Sequence, residues 1–147
     1  MDELIKLLDS NLQYIKHELV DDTIYIEVSS NRKSVSCPYC GEKSDKAHSW
    51  YKKSFQDLPM QNKKVVIILN NRKMFCNNQS CSKKTFAETF EFLAPNAKKS
   101  SRLENEIINI SVNVSSLAAE RIIRNRIANI GKSTICNLLK KRNSYNR

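Results

Sequence analysis

Two cysteine pairs constrain this chain more than any other feature: Cys37-Pro38-Tyr39-Cys40, with two residues between its thiols, and Cys76-Asn77-Asn78-Gln79-Ser80-Cys81, with four. Thirty-five residues separate the pairs, enough for a β-hairpin that returns the second pair to face the first. Tetrahedral zinc takes four soft ligands, and two thiolate pairs on facing turns supply them. Gly41, directly after the first pair, frees the backbone to curl its amides toward sulfur. The competing reading is two disulfides, or core thiols without metal. A chain without a secretory start or a long apolar run is expected in a reducing cytoplasm, where disulfides are rare. A site filled by four thiolates has no open position for water, so one structural Zn2+ is expected rather than a catalytic one. With 147 residues, the fold has little core of its own for the metal to supplement. The fifth thiol, Cys136, reads as a small core residue of the last helix, and His17 and His48 as surface or hairpin-packing residues.

The pattern around the cysteines is strand-like. Leu4, Ile5, Leu7, Leu8 and Leu12 have helical spacing, which predicts a short opening helix over Asp2–Leu12. Tyr14–Val20 and Thr23–Ser29 are rich in β-formers and flank Asp21-Asp22, a hairpin signature. The β-branched run Val65–Leu69 predicts a buried strand leading to Cys76, with His48–Phe55 as its partner. Asp57-Leu58-Pro59 and Gln61-Asn62 supply the expected break between them.

After Pro95 the period becomes helical. Ser101 with Glu104 has the form of a capping box, and Leu103, Ile107, Ile110 and Val114 make one helix face. Ser115-Ser116 can end that helix and cap a second, roughly Leu117–Arg124. A connection over Asn125–Lys132 leads to Ser133, the expected cap of a last helix reaching about Lys141, with Asn143–Arg147 frayed. The fold class is therefore α+β. Residues 1–95 are expected to hold the helix, hairpin and four-cysteine ribbon, and residues 96–147 a three-helix, helix-turn-helix-like segment.

Charge is uneven. Residues 98–147 carry eleven Lys/Arg against three Glu, a net +8, whereas residues 1–97 carry fourteen against twelve, a net +2. In the last helix Ile135, Leu138 and Leu139 form an apolar back. Ser133, Thr134, Asn137, Lys140 and Lys141 gather opposite. Asn can pair bidentately with adenine, hydroxyls reach base edges or phosphate, and lysines bind phosphate. With Lys132, Arg124 and Arg126 beside them, these residues are the candidate contacts to double-stranded DNA. The bland alternative is an amphipathic helix with a solvated polar face.

In their order, Cys37-Pro38-Tyr39-Cys40-Gly41, His48-Ser49, Asp57-Leu58-Pro59, Arg72-Lys73-Met74-Phe75-Cys76, Cys81 and Thr85-Phe86-Ala87-Glu88 resemble the N-terminal region of ISL-three insertion-sequence transposases. The leading hairpin and trailing helices share the likeness. The resemblance implies a zinc ribbon on Cys37, Cys40, Cys76 and Cys81 and, more loosely, a helix-turn-helix ending in the helix from Ser133. It implies that together these bind the terminal inverted repeats of the element. It also implies a following RNase H-like domain with a carboxylate triad that holds divalent metal. None of the fifteen acidic residues here can be assigned to that triad. The expectation is thus a DNA-binding head without a catalytic body, bacterial, nucleoid-associated and without a membrane partner. The alternatives are a protein-interaction module that pairs with itself or with full-length transposase, and an inert truncated remnant.

Overall fold

The computed structural model describes residues 1–145. It is α+β, as expected. Helix α1 (Asp2–Lys6) precedes strands β1 (Leu12–Val20), β2 (Thr23–Ser30), β3 (Val35–Ser36), β4 (Lys43–Ser44), β5 (Ala47–Met60), β6 (Lys63–Phe75) and β7 (Thr85–Ala87). Helices α2 (Ser101–Ser111), α3 (Ser116–Arg126) and α4 (Lys132–Tyr145) follow. The main sheet has the order β1-β2-β6-β5, with β7 paired antiparallel to β6, while β3 and β4 form a separate ribbon.

Turn chemistry explains where the strands stop. Asp21, at φ 52, turns β1 into β2 as expected. Gln61 and Asn62, at φ 54 and 60, turn β5 into β6. Two consecutive positive φ values match the twist of a tight hairpin. The expected break at Asp57-Leu58-Pro59 is instead part of β5. Proline is admitted there because β5 is the terminal strand in the sheet order, where a missing N–H breaks no ladder. The opening helix is also shorter than expected. The Asp9 carboxylate accepts the Asn11 N–H at 2.7 Å and turns the chain, so that Leu12 begins β1 completely buried.

Contacts divide the chain into two compact units, each assembled from separated segments. The first comprises Met1–His17, Ile26–Ser54 and Ile68–Glu91. Its cysteine end has a small core of Val35, Cys37, Met74 and Phe86, with Ala47, Cys76 and Cys81 packed against it. Elsewhere in this unit the fully shielded Glu88 carboxylate accepts hydrogen bonds from Arg72 Nε at 2.9 Å and Ser30 Oγ at 2.7 Å, and Arg32 lies 3.4 Å away. A buried carboxylate is tolerable only with such partners.

The second unit comprises Glu18–Tyr25, Phe55–Ile67 and Phe92–Arg147. Residues 18–25 and 55–67 thus cluster with the helices, although they precede the 95/96 boundary expected from the sequence. Leu103, Ile107, Ala119, Ile123, Ala128, Ile130 and Ile135 form an aliphatic core among α2, α3 and α4. Ser100, one residue before the expected cap, caps α2. Its Oγ accepts the Leu103 N–H at 3.3 Å and donates to Asp57 at 2.7 Å. Asp57 is the reason for the shift, because it holds the Ser100 hydroxyl in place and also receives Arg102 Nε at 2.9 Å. Val114 lies beyond the end of α2 and is exposed, so only Leu103, Ile107 and Ile110 of the expected stripe reach the core. Ser115 caps α3 as expected, its side chain accepting the Ala118 N–H at 3.2 Å. Helix α4 starts at Lys132, so Ser133 lies inside it rather than capping it. The Gly131 carbonyl already accepts the Ile135 N–H at 3.3 Å, which moves the start forward. The connection between α3 and α4 shrinks to 127–131, and α4 runs on through Tyr145 rather than fraying at Asn143. Asn146 and Arg147 lie outside the described residues. No described helix is long and apolar enough to cross a membrane.

Candidate metal centre and nucleic-acid interface

The metal centre is built by two turns. After β3 the chain tightens: the Gly41 N–H donates to the Cys37 carbonyl at 2.8 Å and the Cys37 N–H to the Glu42 carbonyl at 2.9 Å. Gly41 sits at φ 80, in the left-handed region where a side chain would be strained. Beyond β6, the Cys76 N–H donates to the Lys84 carbonyl and the Cys81 N–H to the Asn78 carbonyl. The two turns place the sulfurs of Cys37, Cys40, Cys76 and Cys81 within 4.8 Å of one another. Cys37 and Cys81 sulfurs are 4.0 Å apart, and those of Cys40 and Cys76 are 3.6 Å apart. Tetrahedral zinc with bonds of about 2.3 Å requires sulfurs about 3.8 Å apart, whereas a disulfide requires about 2.05 Å. The spacing fits one zinc ion and excludes bonded pairs.

Electrostatics point the same way. A hydrogen bond from the Glu42 backbone amide, reinforced by Asn78 and by the neighbouring thiols, lowers the Cys40 thiol to about 7. Cys76 is also approached by an amide, that of Asn78, but desolvation and the adjacent cysteines outweigh it and push this thiol up to about 12. Cys81 is raised as well: the Lys83 amide favours its thiolate, and desolvation and two of the other cysteines oppose it. Four sulfurs this close resist becoming four negative charges unless a cation joins them. A divalent ion reverses that balance and makes all four thiolates. His48 stands apart from the centre, packed edge-on against Phe75 with ring centroids 4.9 Å apart. His17 is exposed on β1.

In the second unit, α4 buries Ile135 completely in the three-helix core and packs Leu138 and Leu139 beside it. Lys132, Ser133, Asn137, Lys140 and Lys141 are exposed, and Thr134 is half-buried. Of the six α4 residues read from the sequence, five are thus open to solvent, and Thr134 lies between them and the core. Arg124 and Arg126 are exposed at the end of α3, and Arg124 is paired with Glu120 at 3.1 Å. Cys136 is half-buried with its sulfur 3.9 Å from Ser116 Oγ, a packing position.

Sequence reasoning missed two features. The net +2 of residues 1–97 conceals a ribbon as basic as the helices: residues 33–84 hold eleven Lys/Arg against Glu42, Asp45 and Asp57, a net +8, and the acids crowd the flanks. A finer charge window would have found it. The second feature is Lys64, Arg121 and Asn129 around one cleft, which only the fold brings together.

Residues 33–81, a third of the chain, match the family described as the zinc-finger of transposase IS204/IS1001/IS1096/IS1165. No curated protein and no solved structure matches the chain. The match begins just before β3, ends on the fourth cysteine and encloses all four ligands. Residues 33–81 thus match the transposase zinc ribbon in sequence and hold the four cysteines clustered for one metal ion.

Proposed function

We propose that this chain is a zinc-stabilised module that binds double-stranded DNA at the ends of an insertion sequence, with α4 in the major groove and no strand-cleaving chemistry in these 147 residues. The observation that carries the reading is α4 itself, apolar and buried on one side through Ile135, and polar and basic on the other through Ser133, Asn137, Lys140 and Lys141. Asn137 is the candidate base reader, because its amide offers adenine a donor and an acceptor side by side. Lys132, Lys140 and Lys141 supply charge toward phosphate, which positions a protein on a duplex without specifying sequence. Zinc, when held by Cys37, Cys40, Cys76 and Cys81, fixes the turns of the ribbon and activates no water, since the four thiolates complete its tetrahedron. Such a module acts at the bacterial nucleoid.

The test is competition binding of zinc-loaded protein to labelled duplexes from the DNA flanking its gene, against scrambled duplex. The expected result is preference for the flanking DNA, which Asn137→Ala reduces by roughly 1–3 kcal/mol of discrimination. Equal binding to both duplexes, or cleavage of either in the presence of divalent metal, would contradict the reading.

A second reading, pairing with another copy or with full-length transposase, is favoured by one observation. Strand β1 ends the sheet order and exposes Ile15, Leu19 and Val20. An exposed apolar edge strand is a template for pairing. Sedimentation of the chain alone and mixed with full-length transposase separates the readings: a monomer that binds duplex and does not co-sediment with the transposase sets this one aside.

A further inference from the structure

Helix α3 was the less conspicuous of the two helices in the sequence, yet its exposed face borders three adjoining hollows in the second unit. The first, of about 490 Å³, is lined by Lys64, Glu120, Arg121, Arg124, Asn125 and Asn129. A second hollow shares Arg121 and Asn125 with it and adds Ile122 and Arg126. A third shares Ile122 and Arg126 and reaches the Gln61-Asn62 turn. The middle hollow shares walls with each of the other two, so the three adjoin as a shallow groove across the exposed face of α3. Four cations and several amides face it, and Glu120, already paired with Arg124, is its one acid.

Part of the groove is held in place. Gln56 grips the connection between α3 and α4 at two points, its Oε1 accepting the Asn129 N–H at 2.7 Å and its Nε2 donating to the Asn129 carbonyl at 3.1 Å. The Asn129 side chain is thereby fixed, and its Oδ1 accepts a hydrogen bond from Lys64 Nζ at 2.9 Å. One of the three ammonium donors is used and two remain for a ligand. The side chains of Arg121 and Arg126 make no hydrogen bond or ion pair among the described residues, and both are exposed. A row of cationic donors whose one acid is already paired suits a ligand made of acceptors. Because the row is continuous, it suits a chain of anions better than a single one.

We propose that this groove seats the phosphodiester backbone of one strand of the duplex that α4 reads, with Arg121, Arg126 and Lys64 as its phosphate contacts. The inference rests on the DNA-binding reading above and divides the labour within it: α4 specifies sequence, and the α3 groove supplies affinity and register.

The test is a salt series on the full zinc-loaded chain, wild type against Arg121→Gln/Arg126→Gln, with Lys64→Gln as an independent single variant. Each phosphate contact contributes about 0.9 to the slope of log affinity against log salt, so the double variant should lose about 1.8 and the single variant about 0.9. Affinity for flanking and scrambled duplex should fall by the same factor, because phosphates carry no sequence. If wild type binds and the variants keep its slope, the groove assignment is overturned while the DNA-binding reading stands. If wild type binds no duplex, both fall. A selective loss of affinity for the flanking duplex would make these side chains base readers and would also overturn the assignment. Inorganic phosphate replacing chloride at fixed ionic strength should leave binding unchanged. Strong competition would mark an ion site instead of a strand track.

Discussion

Different chemistry holds the cysteine end of the first unit and the helical part of the second. The former buries Val35, Cys37, Met74 and Phe86, a cluster in which one of four members is itself a metal ligand. The latter buries seven residues that are all aliphatic. Apolar burial contributes about 25 cal/mol per Å², so the four-residue cluster has less of it to set against the ordering of its chain than the seven-residue core has. A chain can thus place two basic surfaces on one molecule while stabilising one by a metal and the other by packing.

The sharpest way to break the comparison is to remove a ligand. Cys37→Ser should abolish binding of the single zinc ion, and metal analysis of the purified variant checks it. Structural zinc in small sites contributes on the order of 10 kcal/mol, so the β3–β4 ribbon should not survive the change. A core substitution on the other side has the opposite signature. Ile123→Ala should cost about 4 kcal/mol, since the side chain is fully buried and leaves a cavity, yet zinc content should stay at one ion. Thermal denaturation with metal analysis reads both. Ser115→Ala, which removes the α3 cap, should cost about 1 kcal/mol and appear as a small fall in the melting midpoint.

The smallest effect depends on pH. Glu27 has its carboxyl held below the ordinary value of 4.5, first by the hydrogen bond from Asn70 and then by Lys52 and Lys16. A carboxyl depressed in the folded state stabilises it above the unfolded value, and that contribution is lost as pH falls through the folded one. Wild type should therefore exceed Glu27→Gln in stability above about pH 4.5 and converge with it in more acid solution. Denaturant midpoints at several pH values would show it. A gap that widened in acid would contradict the assignment.

What could be read from the sequence followed the range of the interactions involved. The four ligands were legible because turn chemistry and thiol spacing are local, and the hairpin over β1 and β2 because Asp21-Asp22 punctuates it. The α4 face was legible because helical period needs no tertiary information. Pro59 misled, since its admission to β5 depends on the strand standing at the end of the sheet order, which local propensity does not encode. The cap at Ser100 was displaced by Asp57, forty-three residues away in sequence. The α3 groove was invisible for the same reason: Gln56, Lys64 and Asn129 meet only after β5, β6 and the helices have folded.

Hydrogen exchange of the full chain, loaded with zinc and then stripped by excess chelator, tests the comparison most directly. Amides over residues 35–46 and 74–86 should lose protection when the metal leaves, while those of α2 and α3 around Leu103, Ile107 and Ile123 keep theirs. Equal loss in both regions would mean that the metal holds the whole molecule, and no loss in either would mean that it holds none of it.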